Sequence, residues 1–186
     1  AAMTDSGPVV VYRNRTDDEI RDIYITRMSN GRWSTPVAVY NDNWRVAGCP
    51  VNGPSISSRR GLTAVAWFTA QDDRPKVSFV LSLDDGKTFG KAIVVAEETT
   101  NGRVSIAVLD SGDIAISWLE TNGTAAQIKL ARYDHWGKLK ESLTIADSKS
   151  SRRSGFPVII GHGDDVYVTW TEVSGQPQVK VARVEF

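Results

Sequence analysis

One pattern constrains this chain more than any other: an apolar tetrapeptide ending in an aromatic residue occurs four times. The copies are Val9-Val10-Val11-Tyr12, Ala64-Val65-Ala66-Trp67, Ala115-Ile116-Ser117-Trp118 and Tyr167-Val168-Thr169-Trp170. Their aromatics fall 55, 51 and 52 residues apart. A repeat of this length is one supersecondary unit that buries its apolar face only against neighbouring copies, so the period demands a stacked array.

The surroundings of each copy repeat as well. A polar loop follows each aromatic segment, and then a stretch of alternating polarity at 22–26, 76–80, 127–131 and 178–182. Alternation with period two is the signature of a strand with one buried face. In the first three copies a glycine-bearing turn comes next, at Asn30-Gly31, Asp84-Asp85-Gly86 and Trp136-Gly137, and then a further strand at 36–40, 92–96 or 143–146. Three copies also carry a strand ahead of the aromatic one, at 54–57, 104–109 and 156–160. Arg60-Gly61, Ser111-Gly112-Asp113 and Gly163-Asp164-Asp165 provide the hairpin turns.

The unit therefore has four antiparallel strands, a to d, with the aromatic on strand b. No long segment has the i, i+3, i+4 spacing of an amphipathic helix, so the chain is all-β. Four-stranded repeats near 50 residues predict a β-propeller. The blade units lie at roughly 8–42, 54–97, 103–147 and 155–186 of a single partial domain spanning 1–186. They read bcd, abcd, abcd and abc, which is two complete blades and two incomplete ones. Propellers close by pairing strands from both chain ends, because open edges invite aggregation. Closure is thus expected from blades missing at the N-terminal side or from another chain. Trp67, Trp118 and Trp170 are expected to pack between blades, as large buried aromatics do.

Composition removes several function classes. The 22 basic and 22 acidic residues balance, so no net field draws the chain to nucleic acid. Runs such as 93–96 and 158–160 are far below the ~20 apolar residues of a membrane-spanning helix. The opening Ala1-Ala2-Met3-Thr4-Asp5 lacks the basic and apolar regions of a signal peptide, which an exported protein would carry upstream. The single Cys49 rules out an internal disulfide framework and is expected as a small buried apolar residue. Neither His135 nor His162 stands near it in the sequence as a partner for a catalytic thiol.

Ser82-Leu83-Asp84-Asp85-Gly86-Lys87-Thr88-Phe89 matches the Asp-box pattern S-x-D-x-G-x-T-W, with Phe89 in place of the final Trp. Ser82, Asp84 and Thr88 can bond local backbone, Gly86 accepts positive φ, and Phe89 can cover the turn. The turn lies between strands c and d. Degraded versions occupy the same place in other units, at Ser29-Asn30-Gly31-Arg32-Trp33 and Asp134-His135-Trp136-Gly137. On these residues the chain resembles the C-terminal portion of the sialidase-like (Asp-box, BNR-repeat) β-propellers. The resemblance implies a six-bladed ring, a structural role for the box, and a ligand on the opposite face. The loop from Asn41 to Pro54 is similar to exported bacterial propellers of the same type, which implies a periplasmic or extracellular setting.

The opposite face collects the d–a and b–c connections. Arg13, Arg15, Asp17, Asp18, Glu19, Arg21 and Asp22 lie in the first b–c loop. Asp42, Trp44, Arg45, Arg103, Arg152 and Arg153 lie in d–a connections. Glu120 and Glu172 end their b strands, and Tyr12 and Tyr40 are near the rim. The resemblance implies three arginines clamping a substrate carboxylate, a tyrosine nucleophile activated by a glutamate, and an aspartic acid/base. The corresponding expectations here are Glu120, Glu172 and Tyr12 as catalytic groups, and Arg21, Arg45, Arg103, Arg152, Trp44 and Asp42 as substrate contacts. The family's early Arg-Ile-Pro element is absent from this sequence.

No cofactor is expected. Calcium is the one candidate ion, because Asp17-Asp18, Asp72-Asp73 and Asp164-Asp165 offer oxygen ligands, though no spaced loop motif accompanies them. The functional expectation is an exo-α-sialidase-type glycoside hydrolase, incomplete as this chain. The alternative is a non-catalytic module that binds glycan or protein through its loop face. A third reading has identical chains completing the ring.

Overall fold

The computed structural model describes every residue except Ser174, together with all side chains but that of Arg152. Four antiparallel sheets follow one another along the chain. The first contains β1 (Ala2–Thr4), β2 (Gly7–Arg13), β3 (Ile23–Ser29), β4 (Arg32–Trp33) and β5 (Val37–Tyr40). The second is β6 (Ser55–Arg59), β7 (Leu62–Thr69), β8 (Lys76–Ser82) and β9 (Ile93–Glu97). The third is β10 (Thr100–Val108), β11 (Ile114–Asn122), β12 (Ala125–Tyr133) and β13 (Leu139–Lys149). The fourth is β14 (Val158–His162), β15 (Asp165–Glu172) and β16 (Gln178–Val184). Helix among the described residues amounts to two three-residue turns, Gln71–Asp73 and Arg152–Ser154.

Each sheet is a meander, with the outer strand of the first one split into β4 and β5, both paired with β3. The first strands of successive sheets touch: β1 with β6, β6 with β10, and β10 with β14. The sheets therefore fan outward from a shared inner line, as propeller blades do. The sequence reading started the first unit at its b strand. The structure supplies an a strand as well, because Ala2, Met3 and Thr4 pair with Val9, Pro8 and Gly7. Three residues are too few for a periodicity signal, so only the pairing reveals the strand.

Strand alternation fixes which blade each side chain faces. Val9, Val11, Ile23, Ile25 and Val39 of blade 1 pack with Val65, Trp67 and Val80 of blade 2. Trp118 packs back onto Ala66, Phe68 and Val77 of blade 2, and Trp170 onto Ile128, Leu130 and other residues of blade 3. The repeated tryptophans thus each face the preceding blade, and Trp67 is completely buried.

Serines on the inner strands join the blades at the centre. Ser55 and Ser57 Oγ accept from the backbone N–H groups of Ile106 and Val108, at 3.1 and 3.0 Å, and Ser105 Oγ accepts from Ile159 at 3.1 Å. In register, Ser55, Ser105 and Val158 each pair with the residue preceding the blade's tryptophan. Two residues on, Ser57 is followed in the same way by Ala107 and Ile160. The hydroxyls stop at blade 4, whose open face carries exposed Val158, Ile160, Val179 and Val181.

Cys49 departs from expectation. It is a free, exposed thiol, because residues 47–49 of the 41–54 connection lie at the surface, beyond the part anchored in the core by Trp44.

Candidate functional site

The two ends of the blades differ in chemistry. At one end the β8–β9 turn closes on itself. Ser82 Oγ donates to Asp84 Oδ1 at 2.7 Å and accepts from Gly86 N–H at 2.8 Å. Asp84 also accepts from Lys87 and Thr88 N–H and from Thr88 Oγ1. These donors, led by Thr88, pull the Asp84 pKa down to about 2. Gly86 sits at φ 76°, where a Cβ would stand 3.1 Å from Ile25 Cδ1. Phe89 packs against the core between blades 1 and 2. The Ser82, Asp84 and Thr88 side chains are thus spent inside the turn, while Asp85 Oδ2 accepts from Ser6 Oγ and the Gly86 carbonyl from Arg27, which tie the turn to blade 1.

The other end gathers the b–c and d–a connections, and buried polar groups bind them together. Arg13 donates to the carbonyls of Asn52, Arg21 and Phe68 at 3.0, 2.6 and 2.6 Å. It lies 5.0 Å above the ring of Trp44, and burial lowers its pKa to about 10. Asn52 donates to the Asn101 carbonyl and accepts from Arg103 N–H. The Arg103 guanidinium in turn reaches Ser154 Oγ and the carbonyls of Gly155, Ser150 and Ser151. Successive d–a connections are thereby tied in series around the axis.

This arrangement separates the expected contact residues. Arg103 is 5% exposed with its donors committed to backbone, so its geometry is that of a blade tie rather than of a ligand clamp. Asp42 is buried and accepts the Trp67 indole N–H at 2.5 Å. Burial pushes the pKa of Asp42 and of neighbouring Asp22 up. Trp44 is buried edge-on against Phe68, 5.8 Å between centroids. Arg21 pairs with Glu19 at 2.6 Å and is largely covered. Arg45 stays exposed, on a strand bridge to Ile20 that holds the 14–22 and 41–47 loops together. The Arg152 side chain lies outside the described residues.

Tyr12 stands apart from the glutamates. It lies on the face of blade 1 turned away from blade 2, with its ring 6.3 Å from that of Tyr24. Its register equals that of the repeated tryptophans, which explains why sequence reading found it at the rim. Glu120 and Glu172 are on blades 3 and 4.

The two glutamates line separate, adjoining cavities. Glu120 accepts from Thr99 Oγ1 at 3.3 Å and stands 3.8 Å from Lys129. It lines a cleft of about 720 Å³ with Thr99, Asn122, Gln127, Asp147 and Ser148. Glu172, 3.4 Å from Lys180, lines a smaller cavity of about 180 Å³ with Thr171 and Lys149. Asp147 and Ser148 line both cavities, so the two adjoin over the loop ends of blades 3 and 4 as a trough edged by polar side chains. Gln127 Nε2 donates to Asp147 Oδ1 at 3.0 Å and orients that carboxylate.

Sequence reading missed Asp147, Gln127 and Thr99. One signal was available: Trp118-x-Glu120 with Gln127-x-Lys129 has the same form as Trp170-x-Glu172 with Gln178-x-Lys180. In both blades the glutamate pairs across strands with the glutamine, and the tryptophan with the lysine. Asp147 had no such signal, because only the long β13 carries it to the cleft.

No group of His, Cys, Asp or Glu with metal-binding geometry occurs among the described residues. No helix of the described residues is long and apolar enough to cross a membrane.

No family model matches the sequence, and no curated protein matches it. Solved structures match in shape. An α-L-arabinofuranosidase of Fusarium graminearum, solved with arabinobiose, aligns with TM-score 0.61 and 14% identity over 95% of this chain and 54% of its own. An α-L-arabinofuranosidase from Clostridium thermocellum aligns with TM-score 0.56 and 13% identity over 95% of this chain and 64% of its own. A sialidase from Streptococcus pneumoniae aligns with TM-score 0.51 and 16% identity, covering 89% of this chain and 26% of its own. This chain thus spans 54% to 64% of the two arabinofuranosidases. The match reaches several glycosidase types rather than sialidases alone, and at such identities it establishes the fold: the chain is a β-propeller of antiparallel blades.

Proposed function

We propose that this chain is a glycan-directed propeller whose ligand lies in the trough across the loop ends of blades 3 and 4. The observation that carries the reading is the sharing of Asp147 and Ser148 between the Glu120 and Glu172 cavities. A saccharide presents many hydroxyls and few apolar groups, and it needs a wall of neutral and acidic hydrogen-bonding side chains. Thr99, Asn122, Gln127, Asp147 and Ser148 provide one. Similarity in fold to an arabinofuranosidase and a sialidase supports the same ligand class.

Within that class, binding without turnover is the reading we favour. Among the described residues Tyr12 lies on blade 1 while Glu120 and Glu172 lie on blades 3 and 4, and Arg13 and Arg103 are used between blades. A hydrolase reading draws on the carboxylates of Glu120 and Asp147 in one cleft, since glycoside hydrolysis uses two carboxyl groups flanking the bond. Further blades covering the Val158, Ile160, Val179 and Val181 face, and a periplasmic or extracellular setting, accompany this proposal.

Calorimetric titration with arabinobiose and with sialyllactose tests it. Saturable binding is expected with one of them, at least tenfold weaker in Glu120→Gln and Asp147→Asn while the unfolding free energy stays within ~1 kcal/mol of the parent. Release of free sugar on incubation would favour the hydrolase reading. Absence of both binding and turnover would sink the proposal.

A further inference from the structure

The β12–β13 turn lies at the opposite end of blade 3 from the trough, and it displays Trp136 with 75% of its surface exposed. The turn around it is held from several sides. Asp134 Oδ1 accepts from the N–H groups of Trp136 and Lys138, both at 2.9 Å, and the Asp134 carbonyl accepts from Gly137 at 2.8 Å. Asp134 N–H closes the turn onto the Lys138 carbonyl at 2.9 Å. Gly137, at φ 84°, packs so closely on blade 2 that a Cβ would fall 2.0 Å from Ile93 Cδ1. The His135 ring stands 4.6 Å from the indole. An exposed tryptophan is thus mounted on a backbone that has little freedom left to lose.

Beside it is a shallow cavity of about 680 Å³ lined by Ser111, Asp113, His135, Lys138, Leu139 and Lys140, among others. Asp113 is buried and neutralised by Arg132 at 2.6 Å and Lys140 at 2.7 Å. Lys138 and His135 form no ion pair among the described residues. The wall therefore offers ring nitrogens, a hydroxyl and ammonium groups next to the turn that displays Trp136, with the His135 ring belonging both to the wall and to the indole's surroundings.

We propose that Trp136 is the platform of a second saccharide-binding site, on the face opposite the trough, taking one sugar ring of a glycan. The π face of an indole is electronegative and attracts the weakly positive C–H groups on the flat side of a sugar ring. Lys138, His135 and Ser111 supply donors for the hydroxyls at the ring edge. A protein partner fits less well, because interface cores are depleted in Lys and Asp, which dominate this wall. A rigid aromatic keeps the ordering cost of binding low. The site stands whether or not the trough takes a glycan.

Affinity electrophoresis in native gels containing soluble arabinan, or a sialylated mucin, tests the inference. One of the two is expected to retard the parent protein. Trp136→Ala should weaken that retardation at least tenfold, Trp136→Phe should restore part of it, and Trp33→Ala, at an exposed tryptophan on blade 1, should leave it unchanged. Retardation that survives Trp136→Ala but disappears in Glu120→Gln would assign all binding to the trough and overturn the second site. No retardation by either polysaccharide would overturn it too, as would self-association that Trp136→Ala alone abolishes.

Discussion

Trp67 of blade 2 donates its indole N–H to the Asp42 carboxylate of the connection leaving blade 1, at 2.5 Å and out of contact with water. The same tryptophan on blade 3, Trp118, has a buried indole N–H with no partner among the described residues. One junction of the repeat is therefore fixed by a charge-assisted hydrogen bond that the next one lacks.

Asp42 gives a prediction with a definite sign. Burial raises its pKa, and that of Asp22, in the folded state. The folded protein then holds protons that the unfolded chain releases, so this contribution favours folding at low pH and fades as pH rises through the folded pKa. Asp42→Asn keeps an acceptor for Trp67 without the charge. Urea unfolding at several pH values from 4 to 8 should show a smaller loss of stability with rising pH in Asp42→Asn than in the parent. An identical slope would refute the assignment.

Asp84 has the opposite sign. Its folded pKa is drawn down to about 2, so its contribution is present above the unfolded carboxylate pKa and is lost as pH falls from ~4 towards 2. Asp84→Asn should therefore be destabilised at pH 7 and should approach the parent near pH 2. Circular dichroism followed through an acid titration reads this directly.

Arg103 tests the tie between the d–a connections. Removing its guanidinium leaves the carbonyls of Ser150, Ser151 and Gly155 without this donor. Arg103→Ala should cost on the order of 3 kcal/mol, since bonds to a charged donor contribute ~1.5–3 kcal/mol each and some carbonyls regain water. Chemical denaturation measures it, and a loss below ~1 kcal/mol would mean that the connections hold without this residue.

The inner serines can be probed together. Ser55→Ala, Ser57→Ala and Ser105→Ala each strip an acceptor from a backbone N–H of the next blade. Each should destabilise by ~1 kcal/mol, and hydrogen exchange at Ile106, Val108 and Ile159 should quicken one amide at a time. Unaltered exchange at those amides would count against the contacts.

Much of the fold was legible because its determinants are local. The aromatic at each b strand, the alternation of each c strand and the glycine turns specify four-stranded units residue by residue. Ala2–Thr4 escaped notice because a strand of three residues acquires meaning only from its partner Gly7–Val9. The motif 82–89 was readable for the same local reason, its polar groups bonding one another within eight residues.

The site was less legible, because exposure and partnership are not written in residue type. Arg21, Arg45 and Arg103 look alike in sequence. In the folded chain one is half spent on Glu19, one is exposed, and one is enclosed by backbone carbonyls from residues 47 to 52 positions away. Short-range hydrogen bonding and strand periodicity let the sequence alone set the repeat, the all-β class and the self-contained turn. Only the stacking of blades, through contacts some fifty residues apart, decided which charges were buried between them and which were left to form a cleft.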